Sequence, residues 1–407
     1  MIPCYNEASI INNTIDGILR VNYEKYECIF INDGSLDNTM RKLKKRLKLK
    51  RINYNKKDLL NTKKVKNIYQ SKRHPRIFVI DKVNGGKSDA LNAGINFSTN
   101  NYVITLDADS ILDKNALALV SGAFKDSNVV AVSGVIQILQ SFNLYKDGGK
   151  TTLKLSNLLK LQTLEYMKSC FCYKASLAKN NALIVISGAF GAFRKDLLLS
   201  INGFKRVVGE DLDLTIRIQI KIKDTNKKII YLPNAICYTE GPGTFKDYIR
   251  QRIRWQKSFI ECLVNYKAII FKYIFTQPLS FFMIIDSLFI GIISSFIILI
   301  FSIIIIKSIL LNNLNYILIY ILIFLSTHLI YNIGGIIIAS FYNIKYVGIN
   351  FLRLLFTIIL DITIYRVIIL TTIIMGTISY FINKNSWNKV KRSGYNYNIL
   401  KKSDNYG

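Results

Sequence analysis

The chain has 407 residues, 50% of them hydrophobic, and a formal net charge of +29. That length accommodates one soluble domain of ordinary size together with a membrane region. The only histidines, His74 and His328, nearly exclude a His-based metal site or a Ser-His-Asp triad. Cys4, Cys28, Cys170, Cys172, Cys237 and Cys262 lack a CxxC spacing and read as reduced thiols, which argues against a disulfide frame or a zinc site.

In chain order, Met1-Ile2-Pro3 leads directly into Pro3-Cys4-Tyr5-Asn6-Glu7, a motif expected to end a buried strand. No signal peptide is recognised, and the expectation is a truncated start that lacks the first strand and leaves its sheet neighbour unpaired. A helix is predicted over 8–21, with Ser9 in its first turn. The apolar run 26–31 then ends at Asn32-Asp33-Gly34-Ser35.

Residues 41–76 hold 16 Lys and Arg against one acid, Asp58. A basic surface attracts nucleic acid, anionic lipid or a phosphate-bearing substrate. No zinc finger, helix-turn-helix or series of stacking aromatics accompanies the charge, so nucleic acid is not an expected partner. The run reads as a solvated Lys-rich helix or insertion, with contact to an anionic membrane leaflet as the alternative.

A second apolar run, 76–80, precedes Asp81. Asn84-Gly85-Gly86-Lys87 then opens a predicted helix over 87–96, with Ser88 in its first turn. The run 102–106 ends at Asp107-Ala108-Asp109, and 129–135 and 229–232 resemble further strands. Strands alternating with helices predict an α/β fold with a mostly parallel sheet and helices on both faces. Ligands of such sheets bind beyond the carboxyl ends of the strands, where Asp33, Asp107 and Asp109 fall.

Residues 153–175 read as a long helix, and 212–221 as a helix following Gly209-Glu210-Asp211. An amphipathic, interfacial helix is predicted over 245–275, carrying Gln251-Arg252-Ile253-Arg254-Trp255. Apolar blocks at 279–306, 316–341 and 351–382 each exceed the roughly 20 residues that cross a bilayer. Asp286, Arg353, Asp361 and Arg366 lie within them, either snorkelling near span ends or lining a polar path. Three spans would place the tail outside, yet Lys384, Lys389, Lys391, Arg392, Lys401 and Lys402 favour the inside, so the span count stays open.

The ordered motifs suit transfer from a nucleotide diphosphate sugar. Asp107 and Asp109, one residue apart at a strand end, can grip Mg²⁺ or Mn²⁺, a Lewis acid for the diphosphate. Asp33 can accept hydrogen bonds from a pyrimidine ring, and Lys87 offers a cation near phosphate after a flexible turn. Glu210 or Asp211 is placed to act as general base toward an acceptor hydroxyl. Arg254 can pair with departing diphosphate, and the Trp255 ring can pack on a sugar. The small-residue segment around Ser187, Gly188 and Phe190 lets an acceptor approach the backbone, or is a tight-packed loop.

With these residues in place, the chain resembles the inverting family 2 glycosyltransferases of GT-A fold. More closely it resembles their processive membrane branch: cellulose, chitin, hyaluronan and poly-N-acetylglucosamine synthases. The segments 187–196, 209–218 and 250–256 look most like bacterial poly-β-1,6-N-acetylglucosamine synthase-like proteins. The resemblance implies a Rossmann-like, nucleotide-diphospho-sugar transferase domain over 1–244 (with the Lys-rich insertion 41–76), followed by interfacial helices over 245–278. Transmembrane helices would occupy 279–383, and a basic tail 384–407.

It further implies a UDP-sugar donor, most readily UDP-N-acetylglucosamine, bound by Pro3, Tyr5, Glu7, Asp33, Lys87 and Asp107. Asp109 and Asp107 would hold the metal, and Asp211, with Glu210 beside it, would be the base. Gln251, Arg252, Arg254, Trp255, Ser187, Gly188 and Phe190 would serve the diphosphate and the acceptor. The family often has Asp where this chain has Asn32. A polysaccharide or lipid acceptor, a multi-pass location in the inner (plasma) membrane with a cytoplasmic catalytic domain, and an accessory subunit complete the expectation. Two alternatives stay open: addition of a single sugar to a lipid acceptor, and an inactive, truncated scaffold protein.

Overall fold

A computed structural model of the chain describes residues 1–53, 58–144, 150–310 and 317–382. In chain order come β1 (Ile2–Cys4), α1 (Ile11–Leu19), β2 (Cys28–Asp33), α2 (Thr39–Leu47), β3 (Leu49–Ile52), β4 (Val65–Ser71) and β5 (Ile77–Lys82). Then follow α3 (Lys87–Phe97), β6 (Tyr102–Leu106), β7 (Ser110–Leu112), α4 (Ala116–Ala123), β8 (Val129–Ile138), β9 (Phe142–Asn143) and β10 (Lys150–Thr151). Next are α5 (Asn157–Lys168), α6 (Ala175–Lys179), β11 (Phe190–Arg194), α7 (Lys195–Ser200), α8 (Glu210–Ile222) and β12 (Lys228–Thr239). All-helical chain succeeds them: α9 (Phe245–Lys272), α10 (Pro278–Phe282), α11 (Ser294–Leu310), α12 (Ile317–Phe341), α13 (Ile349–Leu360) and α14 (Arg366–Ile382).

By packing the chain divides into two units. Among the described residues Met1–Thr151 and Val185–Gly241 form the first; Thr152–Ile184 and 242–382 form the second. The segment 152–184 therefore groups with the late helices and not with the strands on either side of it.

The first unit is the α/β part. Every residue of β2 and of β8 is buried, as expected of strands covered on both faces. One sheet runs β1-β2-β5-β4-β3, with β2 parallel to both β1 and β5. The other runs β6-β11-β8-β12-β7. The two meet at Met1, whose carbonyl accepts from Leu106 N at 3.0 Å and whose amino nitrogen donates to Ile104 O at 2.7 Å. Against expectation, the neighbour of the first strand is paired: three residues, with Ile2 and Cys4 fully buried, fill that position beside β2.

The sheet is mixed, where a mostly parallel one was predicted. β11 runs antiparallel to both β6 and β8, β7 runs antiparallel to β12, and β3 and β4 are antiparallel additions at the edge. The Gly/Ala-rich segment behind β11 hides its strand character, and Phe190 of β11 occupies the space left by the absent side chain of Gly134 on β8. A Cβ on Gly134 would lie 2.2 Å from the Phe190 ring and 2.7 Å from Ala235 O. Gly134→Ala is therefore expected to destabilise the first unit by about 1–3 kcal/mol through overpacking, read as a lowered midpoint of thermal unfolding.

The Lys-rich segment resolves into one helix and a hairpin. Leu43 and Leu47 bury one face of α2, while Lys44 and Lys45 face solvent. β3 is the edge strand, and its exposed Lys50 and Arg51 discourage another chain from pairing there.

In the second unit, Thr244 caps α9 by accepting from Asp247 N at 3.2 Å. Leu158, Leu161, Tyr248 and Tyr365 form one buried cluster, and Ile260, Ile292 and Tyr380 another. Gly376 of α14 lets Gln256 of α9 approach closely: a Cβ on Gly376 would stand 2.5 Å from that of Gln256. Two helical segments, Phe324–Phe341 and Ile349–Ile382, are long and apolar enough to cross a membrane by length and composition. The first predicted block, 279–306, runs through α10, a π-helical stretch (Met283–Ile293) and α11. Asp361 pairs with Lys168, and Arg353 donates to Asn350. The Asp286 side chain and the basic tail lie outside the described residues.

Candidate active site

The loops after β1 and β2 are laced together. Asn6 N donates to Ser35 Oγ (3.0 Å), Glu7 N to Thr39 Oγ1 (2.8 Å) and Leu36 N to Asn6 Oδ1 (2.8 Å). Asn6 accepts the left-handed backbone (φ 55°) that this crossing needs. Pro3 lies in β1, and Tyr5 and Glu7 sit in the same turn, so the first two motifs form one wall at the carboxyl end of the sheet.

Asp33, expected to accept hydrogen bonds from a pyrimidine ring, is 3% exposed. Oδ1 accepts from Lys82 Nζ (2.7 Å) and Gly85 N (3.0 Å), and Oδ2 accepts from Gly86 N (2.8 Å). Asp33 therefore shapes the 84–87 turn, in which Gly86 takes φ 91° and leads into α3. Beside it Asn32 donates to Asp81 Oδ1 at 2.7 Å. An aspartate at position 32 would set its carboxylate against that of Asp81.

Lys87, at the start of α3, is where the distant motifs meet. Its ammonium lies 2.7 Å from Asp107 Oδ1 and 2.8 Å from Glu210 Oε1. Gly188 closes over it: a Cβ there would stand 2.9 Å from Lys87 Nζ, 3.5 Å from Glu210 Oε1 and 3.6 Å from Asp211 Cβ. Gly188 N donates to Asp211 Oδ2 at 3.1 Å, and Leu212 N donates to Oδ1 at 2.9 Å. Two backbone donors thus fix the Asp211 carboxylate at the N-terminus of α8. Burial disfavours the Lys87 cation, but Asp107, Glu210 and Asp211 outweigh it and hold its pKa above the ordinary lysine value. The ammonium therefore persists across neutral pH.

Asp109 is buried beside β12, its Oδ1 accepting from Ser110 Oγ (3.1 Å) and Thr239 Oγ1 (3.4 Å). Thr14 Oγ1 donates to Ala108 O and so ties the Asp-Ala-Asp turn to α1. Burial first, then the charges of Asp107 and Asp109, push the Cys237 thiol well above its usual range, so both carboxylates bear on one locality. All six cysteines are free thiols.

Among the described residues no three His, Cys, Asp or Glu side chains gather into a metal cage. The donor set still fits a hard divalent ion. Mg²⁺-like ions are held by one or two carboxylates plus substrate phosphates, and Asp107 and Asp109 are all-oxygen donors at one strand end. The Lys87 ammonium against Asp107 and Glu210 marks the place as one that stabilises a cation.

Of the acceptor-side residues, Ser187 and Gly188 lie at this site, with Gly188 N bonded to Asp211. Phe190 does not: it is 1% exposed, packed over Gly134, and serves the core. Gln251, Arg252, Arg254 and Trp255 all lie on α9, in the second unit. Gln251 is buried, and its Oε1 has no hydrogen-bond partner among the described residues. Trp255 is 40% exposed. Arg252 is not placed as a diphosphate ligand, because a bidentate pair with Glu165, at 2.6 and 2.8 Å, occupies its fork. Sequence reasoning missed Lys82, Thr239 and Glu165. The only local signal was Lys82 following an apolar run, and a buried lysine is rare enough to invite a search for carboxylate partners.

An α/β sheet that gathers a lysine, an Asp-x-Asp turn and a helix-borne Glu-Asp pair at one locality is that of a nucleotide-sugar transferase. The chain matches the family Glycosyl transferase family group 2 over residues 102–382 and Glycosyl transferase family 2 over residues 1–201. It belongs to the family 2 glycosyltransferases and has their GT-A fold. It is 30% identical over 268 residues to the poly-beta-1,6-N-acetyl-D-glucosamine synthase of Staphylococcus aureus (strain COL), an alignment covering 65% of this chain and 55% of that protein. The synthase of the same name from Staphylococcus epidermidis matches with the same identity and coverage. The chain thus spans about half the length of these curated relatives. Among solved structures, mannosyltransferase PcManGT from Pyrobaculum calidifontis, in complex with GDP-Man and Mn²⁺, superposes with a TM-score of 0.55. That match covers 94% of this chain and 86% of the other at 17% identity, a likeness of fold.

Proposed function

We propose that the chain is a membrane-bound, inverting glycosyltransferase that moves N-acetylglucosamine from UDP-N-acetylglucosamine to a growing polysaccharide. The observation that carries this reading is the meeting of Lys87, Asp107, Gly188, Glu210 and Asp211 from four separate motifs. The named relatives supply the sugar and the polymer.

In the proposed reaction, Asp211 takes the proton of the acceptor hydroxyl as its oxygen bonds to the anomeric carbon of the donor. The bond from that carbon to the diphosphate breaks, UDP leaves, and one displacement inverts the carbon. Lys87 would offset the charge growing on the diphosphate. A divalent ion, Mg²⁺ or Mn²⁺, held by Asp109 and Asp107 with the donor would supply further neutralisation. Chelation by EDTA is expected to abolish turnover, and added Mn²⁺ or Mg²⁺ to restore it, read as UDP released.

The domain reading accompanies this: a cytoplasmic catalytic domain over 1–244, interfacial helices over 245–278, membrane helices over 279–383 and a basic tail. Large apolar side chains exposed on the late helices support it, among them Leu322 (69%), Ile330 (71%), Phe341 (78%) and Phe381 (73%). Export of the polymer through these helices and an accessory subunit belong to the same proposal. The test is incubation of membranes containing the chain with several labelled UDP-sugars, followed by sizing of the product. A ladder or long polymer from UDP-N-acetylglucosamine is the expected result; a single added sugar, or no incorporation, overturns the reading.

A further inference from the structure

We propose that Glu165 and Tyr365 are positioning residues for the Trp255 ring, acting through Arg252. The proposal deepens the functional reading above and rests on it in one respect, that Trp255 carries the acceptor sugar.

The contacts form a chain across three elements of the second unit. Tyr365 Oη, in a π-helical turn (Asp361–Tyr365), donates to Glu165 Oε2 on α5 at 2.6 Å. Glu165 accepts both arms of the Arg252 fork, at 2.6 and 2.8 Å. The Arg252 guanidinium lies 4.4 Å from the Trp255 ring centre and 4.7 Å from that of Tyr248. Tyr248 and Tyr365 are wholly buried, their rings 5.6 Å apart, so the base of the stack is closed to water.

Each contact restricts the next. A bidentate carboxylate fixes the plane of a guanidinium, whereas a single contact leaves it to rotate. A fixed guanidinium under an indole restricts the ring, because the cation is attracted to its face. One side of Trp255 is thereby supported while the residue remains 40% exposed, the condition under which an aromatic face serves a sugar.

α5 is also pinned at a second point. Lys168, three residues past Glu165, donates to Asp361 Oδ2 at 2.6 Å, and Asn332 Nδ2 donates to the same oxygen at 3.0 Å. Glu165 and Lys168 thus hold the two ends of one π-helical turn, Tyr365 and Asp361, with opposite charges, which sets the register of α5 on it.

The test uses the full chain in a Trp387→Phe background, in which Trp255 is the sole tryptophan. Glu165→Gln removes the charge and Tyr365→Phe removes only a hydroxyl, so at least one variant retains the packing. Acrylamide quenching of Trp255 fluorescence is expected to rise in both. The KM for an N-acetylglucosamine oligosaccharide acceptor is expected to rise about tenfold, with the KM for UDP-N-acetylglucosamine within about twofold. Glu165→Asp, which retains the charge, should recover part of the acceptor KM. Unchanged quenching, or equal changes in both KM values, overturns the proposal. Absence of turnover in the parent chain would defeat the functional reading alone, and the quenching comparison would then decide this one.

Discussion

Asp211→Asn is expected to lower sugar transfer by about 10²- to 10⁴-fold, the usual contribution of a positioned general base, while donor binding survives. The substitution keeps the shape of the side chain and removes its capacity to take a proton. Gly188 N and Leu212 N each donate to one oxygen of the wild-type carboxylate, and the amide keeps one of those two acceptors. Donor binding would rest instead on Lys87 and Asp107 and on the turn that Asp33 shapes. Labelled-sugar transfer and UDP retention, measured on the same membranes, separate the two effects. Transfer near the parent rate would remove Asp211 from the base role, and Glu210→Gln would then be the variant to examine.

The largest effect on stability is expected from Lys82→Met. Lys82 is 0% exposed and pairs with Asp33 Oδ1 at 2.7 Å and with Asp89 Oδ1 at 2.5 Å. Its removal leaves the buried Asp33 carboxylate without its cation, a class of change that costs about 3–5 kcal/mol. A domain has only about 5–15 kcal/mol in total, so the unfolding midpoint should fall by roughly 6–20 °C. Adding Asp33→Asn to the same chain removes the stranded charge and should recover part of the loss. A midpoint within a degree of the parent would mean that the pair contributes nothing to folding.

These two residues also mark what the amino-acid order makes legible and what it hides. Asp211 was readable because its surroundings are local: Gly209, a neighbouring Glu210 and an apolar helix directly after it. The Asp-x-Asp turn was readable for the same reason, since a buried strand ends immediately before it. Lys82 was not, because its meaning comes from Asp33, 49 positions earlier, and a lysine after an apolar run looks like an ordinary strand end. β11 was hidden by small residues such as Gly191, where a Cβ would stand 2.7 Å from the Ile186 side chain.

Arg252 was assigned with its motif neighbours because spacing alone does not reveal that its fork is taken. Its partner Glu165 lies 87 residues away on another helix. The hairpin of β3 and β4 was obscured by lysines, which break the alternation by which strands are recognised yet suit an exposed sheet edge. Local motifs thus pointed to the carboxylates that gather at Lys87, while long-range charge pairing decided which residues shape or support their surroundings.

Determination of the structure with UDP bound tests the account most directly. The diphosphate should lie against the Lys87 ammonium, with Asp211 and Gly188 on the side where the sugar would project. Nucleotide bound elsewhere on the chain, with the Lys87–Asp107–Glu210 cluster left closed on itself, would contradict it.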